Sequence, residues 1–343
     1  MKALTSQMIN VSIVGLGYWG PNYLRIFNKL KKSKIRCCCD LDERNLNKIK
    51  GLYSVVKTTK DYRKVAEDSN TDAVVIITPL NTHYEIAKYC LEKGKHVLIE
   101  KPFTSTFKQG KELMKIAENN DLILMVGHVY KYHPGIRRLK EIMKEKLGTI
   151  YYISAIRVGL GPIRKHANVL WDLATHDISI ATYLSDSLPI EVIASGESHI
   201  QKDIEDVIFL TLTFPKDVLY NIHASWIAPE KIRKTTVVGS KGMAVFDDVN
   251  KAEMLKIYER KVDKRLLDST PEYSDHQSIV RFGNIYIPNI EQSEPLENQA
   301  SHFLDCILKK KRPFTDAQDG LNVVKILEAA EKSLKIKRRV RCL

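Results

Sequence analysis

Three glycines, Gly15, Gly17 and Gly20, stand in the spacing GxGxxG within Val11-Ser-Ile-Val-Gly-Leu-Gly-Tyr-Trp-Gly20. The apolar run before them reads as a strand and the segment after them as a helix. In that setting Gly15 permits a tight turn, Gly17 lets the backbone approach a pyrophosphate, and Gly20 allows close helix–strand packing. The free N–H groups of the helix N-terminus then face the anion, with Tyr18 and Trp19 between the last two glycines. Asp40 closes the second apolar run, 20 residues past Gly20. A carboxylate there accepts hydrogen bonds from ribose hydroxyls and repels a 2′-phosphate. Leu41 and Asp42 supply no cation, and the nearest are Arg36 and Arg44. The motif therefore points to a dinucleotide, and to NAD rather than NADP.

Two further clusters carry groups suited to proton transfer. Val97-Leu-Ile-Glu-Lys-Pro102 ends an apolar run, so Glu100 and Lys101 face the crevice beyond the carboxyl end of a strand, and Pro102 biases Lys101 towards an extended conformation. Taken alone, Lys101 reads as a surface lysine. Asp172 and His176 are four residues apart on one helical pattern and share a face. An imidazole there can take a proton from a hydroxyl, and a carboxylate can orient it; by itself such a pair also reads as structural. Arg157, Arg164, Lys165 and His166 precede this helix and suit a diphosphate or carboxylate, or else form a basic surface loop.

The elements that position these groups fall into two patterns. Up to about residue 127, apolar runs at Asn10–Val14, Ile35–Asp40, Ala73–Thr78, His96–Glu100 and Leu122–Gly127 alternate with helical patterns, the last over Phe107–Asn119. Continuous apolar strands separated by helices imply a doubly wound parallel sheet covered on both faces. Beyond it, helices near Pro134–Glu145 and Val169–Tyr183 flank a strand over Thr149–Val158. Five strand patterns follow between Ile190 and Asp247, joined by short turns, which reads as an antiparallel sheet. Lys261–Asn298 has weak periodicity and reads as an irregular excursion, and two helices near Gln299–Lys310 and Gln318–Lys335 close the chain. The expected domains are 1–127 for the dinucleotide and 128–343 for the rest of the chain, with the last helix free to pack back on the first.

A chain of 343 residues with 44% hydrophobic and 28% charged residues is long enough for two full cores and excludes a disordered protein. Its longest apolar runs fall far short of the ~20 residues needed to cross a bilayer, and Met1–Asn10 lacks the apolar core of a secretory signal. The expectation is a cytoplasmic protein with no membrane partner. A net charge of +13 would suit nucleic acid, but no helix-turn-helix, zinc-finger or aromatic-basic pattern accompanies it, so no nucleic-acid partner is expected. The cysteines Cys37, Cys38, Cys39, Cys90, Cys306 and Cys342 form no CxxC, and no histidine stands at ligand spacing from a pair. The reading is no metal, and buried thiols in a reducing compartment.

Taken together, Gly-Leu-Gly-Tyr-Trp-Gly-Pro-Asn22, Thr78-Pro79 with His83, Glu100-Lys101-Pro102, Trp171-Asp-Leu-Ala-Thr-His-Asp177 and the Glu297–Phe303 segment resemble the Gfo/Idh/MocA family of oxidoreductases. The resemblance spans nearly the whole chain and is strongest to the branch that contains the 3-dehydrogenases of UDP-N-acetylglucosamine and its uronic acid. It implies an N-terminal Rossmann domain, a C-terminal α/β domain with an open, mainly antiparallel sheet that serves substrate binding and oligomerisation, a homo-oligomer (dimer or tetramer) and a place in cell-surface polysaccharide synthesis. It also implies catalytic roles for Lys101, Asp172 and His176. Cofactor contacts would come from Gly15, Gly17, Tyr18, Trp19, Gly20, Asp40, Thr78, Pro79, Asn81, His83, Glu100 and Lys101, and substrate contacts from Lys101, Arg157, Arg164, Asn168, Asp172 and His176. The implied reaction is NAD-dependent oxidation of a secondary hydroxyl, C3, of a nucleotide-activated sugar. Inositol or free-sugar oxidation and NAD-dependent glycoside hydrolysis are the alternatives within the family, and a non-catalytic sensor is the alternative outside it. Thr175 departs from the branch, which often has Pro there. The segment His128-Val-Tyr-Lys-Tyr-His-Pro134 lacks the arginine that many relatives carry, and Tyr132 and His133 stand there instead.

Overall fold

The computed structural model describes residues 8–53, 56–165, 167–259, 261–262, 280–281 and 283–342. The chain forms two compact units, Met1–Tyr132 with Ser293–Lys325, and His133–Gln292 with Ile326–Leu343.

In the first unit, β1 (Ile9–Val14), β2 (Ser33–Cys39), β3 (Lys57–Thr59), β4 (Ala73–Ile76), β5 (His96–Glu100) and β6 (Leu124–Gly127) form a sheet in the order β3-β2-β1-β4-β5-β6. Every neighbouring pair is parallel. This is the doubly wound order, with its switch point between β1 and β4. The connecting helices are α1 (Gly20–Lys29), α2 (Glu43–Leu52), α3 (Tyr62–Glu67), α4 (Leu80–Glu92) and α5 (Phe107–Asn119). Ala73, Val74, Val75 and Ile76 are all fully buried, as are Val97, Leu98 and Ile99, which is why these strands read as unbroken apolar runs. β3 escaped the sequence reading because an edge strand of Lys-Thr-Thr, paired with β2 alone, needs no apolar run. Cys37, Cys38 and Cys39 are buried in β2, and burial pushes their thiols up to about 11, 12 and 12.

The stretch 293–316 is expected in the second domain but belongs to the first unit. The reason for its place in the first unit is the apolar stripe of α8 (Pro295–Lys309): Leu296, Ala300, Phe303 and Leu304 join the cluster that holds Ile13, Tyr23, Leu24 and Phe27.

In the second unit, α6 (Pro134–Ile142) leads through a π-helical turn to β7 (Ile150–Val158), and α7 (Thr175–Ser185) precedes the remaining strands. These are β8 (Glu191–Glu197), β9 (Val207–Phe214), β10 (Val218–Ser225), β11 (Ile232–Gly239), β12 (Met243–Asp247), β13 (Leu255–Tyr258), β14 (Lys261–Val262), β15 (Val280–Arg281), β16 (Ile285–Tyr286) and β17 (Val340–Arg341). Eight of them join β7 in one sheet, in the order β16-β13-β12-β11-β7-β10-β9-β8-β17. All pairs are antiparallel except β7 with β10. Ile208, Leu210, Leu212 and Phe214 of β9 are buried while Phe209 is 47% exposed, the period-2 signature of a sheet with one covered face. β16 lies within the segment read as irregular, and 263–279 of that segment lie outside the described residues. The last helix, α9 (Ala317–Ile336), contributes to both units.

Among the described residues, no helix is long and apolar enough to cross a membrane, and no group of His, Cys, Asp and Glu could hold a metal ion.

Candidate functional site

The glycine loop leaves β1 at its carboxyl end. Gly15 has φ +99°, and a Cβ on it would stand 2.7 Å from the Ile77 carbonyl. A side chain is therefore excluded by conformation and by space. A Cβ on Gly20 would meet Gly15 O at 2.4 Å, so the third glycine closes the loop on itself. At Gly17 a Cβ would find nothing within 4 Å; its smallness serves no contact inside this chain, as expected of a position reserved for a ligand's approach. α1 begins at Gly20 with no side-chain cap and no acid in its first turn, so its amides and dipole are offered to an anion. Tyr18 and Trp19 beside it are 80% and 48% exposed. These features fit the pyrophosphate of a dinucleotide.

Asp40 follows β2. Its Oδ2 accepts from Leu16 N–H at 2.6 Å and its Oδ1 from Asp42 N–H at 2.8 Å, so one carboxylate fixes the glycine loop and the turn into α2. Its remaining lone pairs suit ribose hydroxyls. Both cations that could have favoured a 2′-phosphate are paired elsewhere. Arg44 donates to Asp42 at 2.7 Å and Arg36 to Asp68 at 2.9 Å.

Thr78 and Pro79 follow β4, and Asn81 is exposed in the first turn of α4. His83, expected to touch the cofactor, is instead 1% exposed. Its ring nitrogens lie 2.7 Å from Thr78 O and 2.9 Å from Pro102 O. It clamps the two loops that follow β4 and β5, and burial pushes its pKa down against the pull of those carbonyls. Lys101, half-buried, is joined to Pro102 by a cis peptide bond. Its N–H donates to Glu100 Oε2 at 2.8 Å, while Glu100 Oε1 accepts from Tyr23 at 2.5 Å. Burial pushes the Glu100 carboxyl up, against the opposing pull of Tyr23 and Lys101.

In the second unit the helix bearing Asp172 and His176 differs from the expected uniform α-helix. Leu170–Ala174 is a π-helical turn that runs into α7, a wide turn often found at functional sites. Asp172 and His176 are both half-buried there. Asp172 Oδ2 accepts from Trp226 Nε1 at 3.2 Å and lies 3.5 Å from Arg164 Nε. Arg164 keeps 42% of its side chain exposed, and Lys165 is exposed. His166 lies outside the described residues.

Two expected substrate contacts are differently employed. Arg157 is 5% exposed, and its guanidinium fork meets Asp177 at 2.6 and 3.0 Å. A buried bidentate pair of this kind costs ~3–5 kcal/mol to break by removing one partner, so Arg157 is a fixed part of the second unit. The amide of Asn168 organises the π turn, since its Oδ1 accepts from Trp171 N–H at 3.2 Å and its Nδ2 donates to Glu205 at 2.6 Å. Tyr132 and His133 are also engaged internally: Tyr132 Oη lies 3.1 Å from Thr315 Oγ1, and His133 caps α6 and faces Asp248.

Sequence reasoning missed Tyr23, His128, Gln299, Asp319 and Trp226. In the sequence Tyr23, Gln299 and Asp319 lie in helical patterns and Trp226 in a strand pattern. Their polar ends acquire meaning only from partners far away in the chain.

Comparison with known proteins follows the same division. The NAD-binding Rossmann-fold model of the GFO_IDH_MocA oxidoreductase family matches residues 9–128, and the GFO/IDH/MocA C-terminal domain model matches 136–245. UDP-N-acetylglucosamine 3-dehydrogenase of Acidithiobacillus ferrooxidans is 30% identical over 56% of this chain, a match spanning 60% of that protein. Myo-inositol 2-dehydrogenase of Thermotoga maritima is 25% identical over 97% of this chain and 98% of its own. The solved structure of the Acidithiobacillus enzyme superposes with a TM-score of 0.81 at 22% identity, covering 96% of this chain and 98% of that one, which shows a shared fold. With its glycine loop, its six-stranded parallel sheet and its open second sheet, the chain belongs to the Gfo/Idh/MocA family of NAD-binding oxidoreductases.

Proposed function

We propose that this oxidoreductase oxidises a secondary hydroxyl, C3, of a nucleotide-activated sugar such as UDP-N-acetylglucosamine or its uronate. NAD, when bound, supplies the hydride acceptor. The loop around Gly15, Gly17 and Gly20 with the α1 N-terminus holds the pyrophosphate, and Asp40 holds the adenosine ribose. The Lys101 ammonium donates to the reacting oxygen and stabilises it as a carbonyl develops. His176 takes the hydroxyl proton on a ring nitrogen, and Asp172 orients the imidazole or holds a neighbouring hydroxyl.

The observation that carries the substrate class is Arg164, half-exposed and 3.5 Å from Asp172. A neutral polyol offers this guanidinium only uncharged hydroxyl acceptors, whereas a diphosphate gives a charge-assisted contact worth ~1.5–3 kcal/mol. Likeness to a UDP-sugar dehydrogenase supports the same class. Likeness along nearly the full length to an inositol dehydrogenase keeps polyols in the test.

The test is incubation with NAD and a panel of UDP-sugars, free sugars and inositols, followed by mass analysis for the loss of two hydrogens. Oxidation of a UDP-sugar, inhibition by UDP, and a KM raised about tenfold in Arg164→Ala with NAD affinity unchanged are expected. Inositol or glucose oxidised as efficiently as every UDP-sugar would refute the class. Glycoside turnover without net NADH would replace it with hydrolysis.

A further inference from the structure

Next to Lys101 the first unit holds a chain of polar groups to which the assignment above gives no role. Gln299 Nε2 on α8 donates to Tyr23 Oη at 3.0 Å, and Tyr23 on α1 donates to Glu100 Oε1 at 2.5 Å. Glu100 Oε2 then accepts from Lys101 N–H at 2.8 Å. Tyr23 and Gln299 are both 0% exposed, and 276 positions of sequence separate them. Tyr23 sits among Leu24, Ile26, Phe27 and Phe303 in the apolar cluster and stacks on Phe27. Phenylalanine and leucine would satisfy that packing. A hydroxyl and an amide buried there carry a desolvation cost that only their hydrogen bonds offset, and those bonds lead to Glu100. Gly127 keeps the approach open, since a Cβ on it would lie 3.2 Å from Glu100 Cα and Cδ.

We propose that Tyr23 and Gln299 are positioning residues for the dehydrogenation: their hydrogen-bond chain fixes the Glu100 carboxylate and, through the Lys101 N–H, the place of the Lys101 side chain. The proposal rests on the role given to Lys101 above.

Among the described residues, three titratable groups face Glu100, from the elements packed around it. They are Tyr23 from α1, Lys101 from the end of β5, and His128 from the end of β6. Behind His128 stands Asp319, 2.7 Å from its Nδ1, with the Lys131 ammonium on the other carboxylate oxygen. Burial pushes Glu100 up, and the Tyr23 hydrogen bond is the foremost group pulling it down. Without that hydroxyl, Glu100 keeps its proton to higher pH and holds the Lys101 N–H less well. Loss of a purely structural contact would instead lower stability without moving a titration.

The test uses the full chain with Tyr23→Phe and Gln299→Leu. The Glu100 titration is followed by carbon-13 NMR of carboxyl-labelled glutamate, its signal assigned by its absence in Glu100→Gln, so no turnover is needed. The midpoint should rise by about one pH unit in Tyr23→Phe and by less in Gln299→Leu. On the substrate, kcat at neutral pH should fall about tenfold in Tyr23→Phe, the acid limb of its pH profile should move up with the midpoint, and KM for NAD should stay within about twofold. A folded Tyr23→Phe with the wild-type midpoint and limb would overturn the proposal. If Tyr23→Phe does not fold, Gln299→Leu decides, and unchanged values there overturn it equally. A wild-type protein that oxidises no sugar and no inositol would overturn the dehydrogenase reading instead, and the titration would still decide whether the chain holds Glu100.

Discussion

At the scale of single residues, the proposed chemistry needs one cation on the reacting oxygen and one base for its proton. Lys101→Met and His176→Asn should each lower turnover about 100-fold or more while the fold persists. Steady-state rates with thermal melts measure both, and near-normal rates in both variants would remove these residues from the mechanism. Asp172→Asn should cost less than His176→Asn if the carboxylate only orients, and an equal loss would mean that it shares the proton transfer. Because Asp172 also accepts from Trp226, the melt of that variant is part of the measurement. Asp40 makes a second case. Asp40→Ser should weaken NAD and narrow its advantage over NADP, read by titration of each dinucleotide. It also frees the Leu16 and Asp42 amides, so NADP should gain little in absolute affinity. Tighter binding of NADP than of NAD by the wild type would contradict the role given to Asp40.

At the scale of elements, the glycine loop offers a cleaner separation of fold from function. A Cβ at Gly15 meets backbone at 2.7 Å in a positive-φ conformation, and one at Gly20 meets backbone at 2.4 Å. Gly15→Ala and Gly20→Ala should therefore lower the melting temperature and NAD affinity together. A Cβ at Gly17 meets nothing in the chain, so Gly17→Ala should melt like the wild type and bind NAD at least about tenfold more weakly. Differential scanning calorimetry beside NAD titration checks this. A Gly17→Ala variant with full NAD affinity would remove the pyrophosphate from that spot. The same scale explains His83: by spanning Thr78 O and Pro102 O, it ties the loops after two neighbouring strands into one wall.

At the scale of the whole molecule, charge decides the response to acid. Asp68 is held at about 2 by the Asn70 N–H and Arg36. Burial would raise Asp248 and Asp319, yet His133 and Lys251 hold the first, and His128 and Lys131 the second, below the usual carboxylate range. For a carboxyl whose folded pKa lies below its unfolded value, the stabilisation is complete above the unfolded value and is lost as pH falls through the folded one. Glu100, raised by burial, has the opposite sign: folding favours its protonated form, and its penalty appears only as pH rises. The urea midpoint should therefore fall steadily between about pH 5 and pH 2. Asp248→Asn combined with Asp319→Asn should flatten that fall. A flat wild-type profile over this range would contradict the assignment.

What the sequence alone determined is what depends on local pattern. Unbroken apolar strands alternating with amphipathic helices specify a parallel sheet covered on both faces, and the GxGxxG spacing with Asp40 specifies a dinucleotide at its carboxyl edge. Those signals are carried by neighbours in the chain, so they survive without coordinates. The tertiary structure decided whatever depends on a distant partner. It placed Leu296, Ala300 and Phe303 in the first unit's core, because an apolar stripe does not say which core it joins. It paired Arg157 with Asp177 inside the second unit, where a sequence motif can show a cation but not its counter-ion. It widened the turn before α7 into a π turn, a departure from α geometry that leaves the residue pattern unchanged. It also joined Gln299, Tyr23 and Glu100, because a buried hydroxyl is satisfied by whichever group the fold brings within hydrogen-bond reach, and sequence separation has no bearing on that distance.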